Sequence, residues 1–471
     1  MVGGRSATET AVRTTGNETL PQPLNATARL LPAMLLGVVL ALLLSACGSR
    51  LDHYVRLDRQ MYRGDFDSAL STLRDNQTHY ASGDAALYFM EEGLLSHYAG
   101  RYEESSWSLL QAEAILDDLY TRSVSRQTAS FWINDTTVPY RGEHFEDALV
   151  NLFLAMNYAS LGLHDDALVE ARRVDSELAQ FQYPQTAEPQ DAFVRFIMGV
   201  LYEADGELND AFIAFRNSER IYRTKYLPSY GIATPAVLLE KLLCAATQLG
   251  FQSEMDQILQ YYPGFRPRVA AAPLRSAEIF LLHYNGPGPE KVETFWTVPM
   301  PDGYVAKIAY PQFRVRDYAI DRSRMRIRDR ESGRMYDFET EPMEPVGAIA
   351  AANLEHRIEQ TKSKAVARAT VKYLATKAAA EAVGREAGDS AGALIQLFGN
   401  LLGLVTENAD IRHWRLLPDE IRLGRVQVPA GGYQGEIAFV DAHGTTVRSE
   451  TMPPFHVAAG EKKFILRRTL Q

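Results

Sequence analysis

The sequence predicts an α+β protein, with an N-terminal α-helical hairpin array followed by a β-rich domain that a helical hairpin interrupts. Three observations predict it. Between Leu51 and about Arg266 a glycine recurs before an acidic stretch, with a small residue five positions later. From Ala277 the texture changes to β-branched and apolar runs divided by Gly and Pro. Between the two groups of strand-like runs lie two helical stretches, about Ile349 to Arg385 and Ala391 to Thr406. The implied division is a leader over 1–46, a helical domain over 47–270, and a β-rich domain over 271–471 with a helical insertion at about 346–406.

The leader comes first in the chain. Arg29 precedes an apolar run from Leu30 to Leu44, which ends in Leu44-Ser45-Ala46-Cys47-Gly48. A run of that length is short of the ~20 residues a spanning helix needs and suits a signal-peptide core. Ser45 and Ala46 are small enough for a peptidase to approach, and the Cys47 thiol can carry a diacylglyceryl group as a thioether. This is a lipobox, and Cys47 is the expected lipidation site and mature amino terminus. Gly48 stands where an inner-membrane lipoprotein usually carries aspartate, so the expected location is the outer membrane, facing the periplasm. Residues 1–28 are read as a long leader or an over-extended start.

The leader removes three of the 49 basic and two of the 59 acidic residues, leaving 46 against 57 and a net charge of −11. That balance argues against nucleic acid as a partner and against a cationic surface for anionic lipid. Besides Cys47 the only thiol is Cys244, in the apolar run Leu238 to Ala246, where a buried structural thiol is expected. An intramolecular disulfide and a thiolate zinc cluster are therefore excluded. The histidines are scattered without metal-ligand spacing, and no phosphate loop or nucleophile elbow is present. No catalytic, cofactor-binding or metal residue is nominated. The acidic pairs Glu103/Glu104 and Asp165/Asp166 read as a solvated helix face, because sequence neighbours point to different sides of a helix.

The helical punctuation reads Gly64-Asp-Phe66-Asp-Ser-Ala69, Gly100-Arg-Tyr102-Glu-Glu-Ser105, Gly162-Leu-His164-Asp-Asp-Ala167 and Gly206-Glu-Leu208-Asn-Asp-Ala211, with a weaker Gly250. The glycine lets the chain turn, the residue two later is expected in the seam, and the small residue lets two helices approach. The unit at Gly206 adds Met198, Gly199, Tyr202 and Phe215, and the unit at Gly162 adds Leu154, Ala155, Tyr158 and Ala171. These positions resemble tetratricopeptide repeats, at irregular intervals of 36 to 62 residues rather than about 34. Segments at Phe131 to Arg141 and Pro184 to Pro189 read as insertions. Tyr158, Tyr202 and Phe215 are expected in the core.

In the C-terminal half, strands are expected at Glu278 to Tyr284, Tyr304 to Ala309, Met325 to Arg328, Glu420 to Val428, Gly435 to Val440 and Lys463 to Arg467. Turns are expected at Gly431-Gly432 and Ala442-His443-Gly444. The run Ala391 to Val405 is apolar nearly all round, with Gly399 and Gly403 at close-packing spacing. Burial against the long Ala-rich helix is the favoured reading, and contact with a bilayer or a partner is the rival.

The strings Tyr140-Arg-Gly-Glu-His-Phe-Glu146, Ala155-Met-Asn-Tyr158, Glu170-Ala-Arg-Arg173, Leu201-Tyr-Glu203, Asn209-Asp-Ala211, Thr406-Glu-Asn-Ala-Asp410 and Trp414-Arg-Leu-Leu-Pro418 together resemble a family of tetratricopeptide-containing bacterial outer-membrane lipoproteins. The resemblance runs over most of the mature chain and implies a topology and a location. It also implies a link to cell-wall synthesis, since members are sometimes encoded near lipoproteins that activate penicillin-binding proteins. The expected function is a periplasmic scaffold or regulator that binds other envelope proteins, without enzymatic activity or cofactor. A structural part in a secretion or polysaccharide-export system is the alternative.

Overall fold

The computed structural model describes residues 49–80, 82–124, 138–180, 191–266 and 276–471. Cys47 with its lipobox, most of the Phe131 insertion and the Pro184 to Pro189 loop lie outside the described residues. The chain divides into a leading unit to Tyr54 and a body from Val55 to Gln471.

The body is α+β. Its helical part comprises α1 (Ser49–Tyr62), α2 (Phe66–Asp75), α3 (Ala85–Tyr98), α4 (Tyr102–Val124), α5 (His144–Leu161), α6 (His164–Gln180), α7 (Ala192–Asp205), α8 (Leu208–Ile221), the short α9 (Leu227–Tyr230), α10 (Ala236–Leu249) and α11 (Gln252–Tyr261). Each of the five punctuating glycines turns one helix into the next with φ between +72° and +86°. The five turns share one hydrogen-bond pattern, shown by Gly162 N–H donating to Ala159 C=O at 3.2 Å and Leu163 N–H to Tyr158 C=O at 2.9 Å. This pair of bonds is the left-handed glycine stop, which satisfies the last carbonyls of the first helix.

The small residues Ala69, Ser105, Ala167 and Ala211 are fully buried. A Cβ on Gly199 would lie 2.5 Å from the Phe215 ring, and one on Gly93 would lie 2.6 Å from Leu109. Both pairs sit seven before and nine after their turn glycine, so the same register recurs in α3–α4 and α7–α8. One expectation fails at the residue two after each glycine. Phe66, Tyr102 and Leu208 are half-buried and His164 is exposed, because this residue opens the second helix at the rim of the seam. Tyr202 and Phe215 are core, whereas Tyr158 near the end of α5 is half-buried.

The β-rich part holds β1 (Ala277–Pro287), β2 (Glu290–Pro299), β3 (Val305–Arg314), β4 (Arg322–Asp329), β5 (Met335–Glu339), β6 (Glu341–Glu344), β7 (Pro418–Val428), β8 (Gly431–Val440), β9 (Thr446–Val457) and β10 (Lys462–Arg468), interrupted by α12 (Val346–Ala387) and α13 (Asp389–Thr406). One sheet has the order β10-β1-β7-β6, the other β5-β4-β8-β9, and β2-β3 form a separate hairpin. β1 runs parallel to β10 and antiparallel to β7.

All eleven residues of β1 are buried, because both its faces are covered. Ala277, Ile279 and Leu281 join Met325, Ile327, Ile437 and Phe439 between the two sheets. The alternate residues meet the helices: Tyr284 Oη lies 3.0 Å from His97 Nε2 of α3, and Glu278 accepts from Lys241 of α10 at 2.5 Å. A strand buried on both faces shows consecutive apolar residues rather than an alternation, as Ile279 to Leu282 do at the centre of β1.

All six expected strand segments coincide with strands, apart from Tyr304, which lies one residue before β3, and β2, β5, β6 and β9 add four more. β9 is an edge strand with Pro453 and Pro454 and mostly exposed side chains, where proline removes no obligatory ladder bond. Gly431-Gly432, expected as a turn, instead opens β8 and pairs with Val457 and His456. Cys244, expected to be buried, is half-buried, with Gln248 Nε2 3.2 Å from its sulfur.

Candidate functional site

Two strings picked from opposite halves of the sequence meet in space. Glu146, in the first turn of α5, is buried, and its carboxylate gathers three donors: Tyr140 Oη at 2.5 Å, Glu143 N–H at 2.8 Å and the backbone N–H of Trp414 at 2.9 Å. Glu143 and Glu146 close a reciprocal cap on α5. Burial, then the neighbouring Glu143, pushes the Glu146 carboxyl up to about 7. Arg412 completes the junction by donating to Asp84 at 2.8 Å, to the Val138 carbonyl at 2.9 Å and to Asp410 at 2.7 Å.

Beside this junction, where α12 passes β3, lies a cleft of ≈ 250 Å³. Its inner wall carries Glu143, Lys291, Arg368 and Asp410, and its rim carries Arg357, Gln360, Thr361 and Lys364. Glu143 is shared between Lys291 at 3.5 Å and Arg357, while Arg368 and Lys372 converge on buried Glu407 at 3.3 and 2.6 Å. Arg357, Gln360 and Lys364 are exposed at spacings of three and four, so one helical face presents them together. The arrangement can bind through charge and hydrogen bonds; its cations and carboxylates are mostly engaged with one another.

The other motif residues tie elements together. Asn157 Oδ1 accepts from His97 Nδ1–H at 2.7 Å and Asn157 Nδ2 donates to Ser105 Oγ at 2.8 Å, so His97 links α3, α5 and β1. Burial holds His97 down at about 4, and it stays neutral. Arg173 pairs with Glu113 at 2.8 Å, and Glu203 accepts from Lys241 at 2.5 Å and Lys462 at 2.8 Å. The pairs Glu103/Glu104 and Asp165/Asp166 are exposed. Among the described residues no group of three His, Cys, Asp or Glu is placed to hold a metal ion.

A second surface departs from expectation. α13 lays Gly392, Gly399 and Gly403 inward: a Cβ on Gly392 would lie 2.8 Å from the Ala380 carbonyl, one on Gly399 would collide with Thr376, and one on Gly403 would lie 2.5 Å from Tyr304 Oη. Leu394, Leu397, Phe398 and Leu401 consequently point away from α12 and are 56%, 64%, 39% and 45% exposed. The favoured reading of α13 as core is thus corrected. The glycines spend the inward face on backbone approach, and the bulky residues are left outside. Among the described residues no helix is long and apolar enough to cross a membrane.

No protein-family model and no curated relative matches the chain. Several solved structures show similarity to part of it. MamA matches at 14% identity over 44% of this chain and 90% of that one, with a TM-score of 0.28. A Podosopora anserina kinesin light chain with nearly identical TPR-like repeats matches at 14% over 44% and 90%, with a TM-score of 0.30. The apo form of RapI matches at 12% over 44% and 51%, with a TM-score of 0.32. At such scores the array's own turn geometry remains the ground for the fold.

Proposed function

We propose that the protein is a lipid-anchored scaffold of the bacterial cell envelope, held through a diacylglyceryl group on Cys47 at the periplasmic face of the outer membrane, without enzymatic activity. It would bind another envelope protein, with cell-wall synthesis as the process the sequence resemblance favours. The observation that carries the reading is the cleft beside the Glu146 junction. It is open, polar and walled by both the tetratricopeptide-like array and the β-rich part, with Arg357, Gln360 and Lys364 on one exposed face. Such a rim suits a polar or acidic segment of a partner, recognised by charge-assisted hydrogen bonds.

A photo-crosslinking residue at Gln360, installed in cells, should give a discrete adduct with an envelope protein, and Lys364→Glu should weaken it. An adduct pattern identical to that from Asp256, exposed on α11, would defeat the cleft as a docking site. The anchor is tested separately: Cys47→Ala should abolish palmitate incorporation and leave an unprocessed precursor. Recovery of the native protein with inner-membrane markers on a sucrose gradient would defeat the outer-membrane assignment.

A further inference from the structure

We propose that the outer face of α13 is a self-association surface that pairs with the same face of a second copy of this chain. Leu394, Leu397, Phe398 and Leu401 fall at i, i+3, i+4 and i+7, the spacing of a helix seam. In a folded chain that spacing normally faces the core, yet here the core-facing side is taken by Gly392, Gly399 and Gly403 against α12 and Tyr304. The helix packs on α12 and β3 and leaves Leu394, Leu397, Phe398 and Leu401 uncovered.

Charge selects the occupant. From Ser390 to Thr406 there is no charged residue. A helix that lies on a bilayer carries Lys and Arg along its own polar flanks, whereas α13 itself has none and the seven basic residues of this hairpin all lie on α12. A stripe without charge asks for a stripe without charge, and an identical helix supplies one across a two-fold axis with no complementary ions required. The chain as a whole carries −10, but residues 346–406 hold seven basic and five acidic side chains, a net +2. Two copies meeting there approach through a region that does not share the net negative charge of the whole chain.

Size sets the strength. An 18-residue helix is about 27 Å long, and pairing two such faces buries on the order of 1,000 Å², near the lower limit for a specific interface. The pairing is therefore weak and concentration-dependent, and confinement to a membrane plane would raise its occupancy. This surface is separate from the cleft, and its test does not depend on the cleft's partner.

Sedimentation of the purified full chain carrying Cys47→Ser should show a shift from one to two chain masses as concentration rises from about 1 to 100 μM, the range a weak interface implies. Leu397→Glu should stay at one mass with an unchanged far-ultraviolet spectrum, and Val169→Glu, on the exposed face of α6, should still pair. Should Leu397→Glu fail to fold, Leu397→Cys in a Cys47→Ser, Cys244→Ser chain decides the matter, since paired stripes must yield a disulfide-linked dimer under mild oxidation. A native chain that stays monomeric throughout would overturn the proposal, as would pairing indifferent to Leu397→Glu or no dimer from Leu397→Cys. Stripe-dependent binding of the monomer to phosphatidylethanolamine/phosphatidylglycerol vesicles would assign the face to lipid instead.

Discussion

The hairpins α7–α8 and α12–α13 use the same packing device with opposite results. In the first, Gly199 lets the Phe215 ring lie against the backbone of α7; in the second, Gly399 and Gly403 admit Thr376 and Tyr304. Around Gly199, however, α7 is buried at ten of the eleven positions from Ala192 to Tyr202, because α8, α6 and β6 cover it from several sides. Around Gly399 the far side of α13 is open. Glycine spacing tells which helices touch closely. What covers the remaining face depends on elements distant in sequence.

Perturbing the two hairpins should therefore give unequal penalties. The largest is expected from Ala211→Trp, at the fully buried small position of α8, where overpacking costs ~1–3 kcal/mol or more. Chemical denaturation of the purified chain measures it, and an unchanged midpoint would mean the α7–α8 seam is wrongly placed. Gly399→Leu should cost less, about 1 kcal/mol, since α13 can move outward into solvent instead of straining a closed core. If it proves as costly as Ala211→Trp, α13 is enclosed after all.

A pH measurement sharpens the contrast from the buried side. Asp191, which precedes α7, is buried, and that burial raises its carboxyl from 3.8 to about 7. The folded state then keeps a proton that the unfolded chain has lost, so this contribution to stability falls as pH rises between about 4 and about 7. Asp191→Asn cannot ionise and should flatten that slope, gaining most relative to the native chain above pH 7. Parallel curves for the two proteins would contradict the burial of Asp191. The smallest effect is expected from Leu397→Glu, within about 0.5 kcal/mol for the monomer, because an exposed position accepts a charge.

These contrasts also mark what could be read from the chain alone. The turn glycines were legible because a left-handed stop leaves almost no alternative to glycine, and Ala69, Ser105, Ala167 and Ala211 followed from the approach those turns impose. β1 was legible through its apolar stretch Ile279 to Leu282 and the aromatic Tyr284 that follows. β2 and β9 were not, since both pair on one side only and expose much of their length, which relaxes the pattern that marks a strand. Cys244 shows the limit of an apolar run as a sign of burial: α10 presents it near Gln248 at the partly open side of the helix. At the candidate site, Tyr140 to Glu146, Thr406 to Asp410 and Trp414 to Pro418 were visible as strings, but their meeting depends on Glu146 reaching the Trp414 backbone across 268 residues of sequence, and Arg412 lies between the last two strings. Arg357, Gln360 and Lys364 drew no notice because a charged helix face usually does no more than face water.

The most direct test of the central contrast is solvent access to a single thiol at each position. In a chain carrying Cys47→Ser and Cys244→Ser, a water-soluble maleimide applied at low protein concentration should label Leu397→Cys within minutes and leave Ala211→Cys unmodified until denaturant is added. Protection at 397 in the dilute monomer, or prompt labelling at 211, would contradict the account.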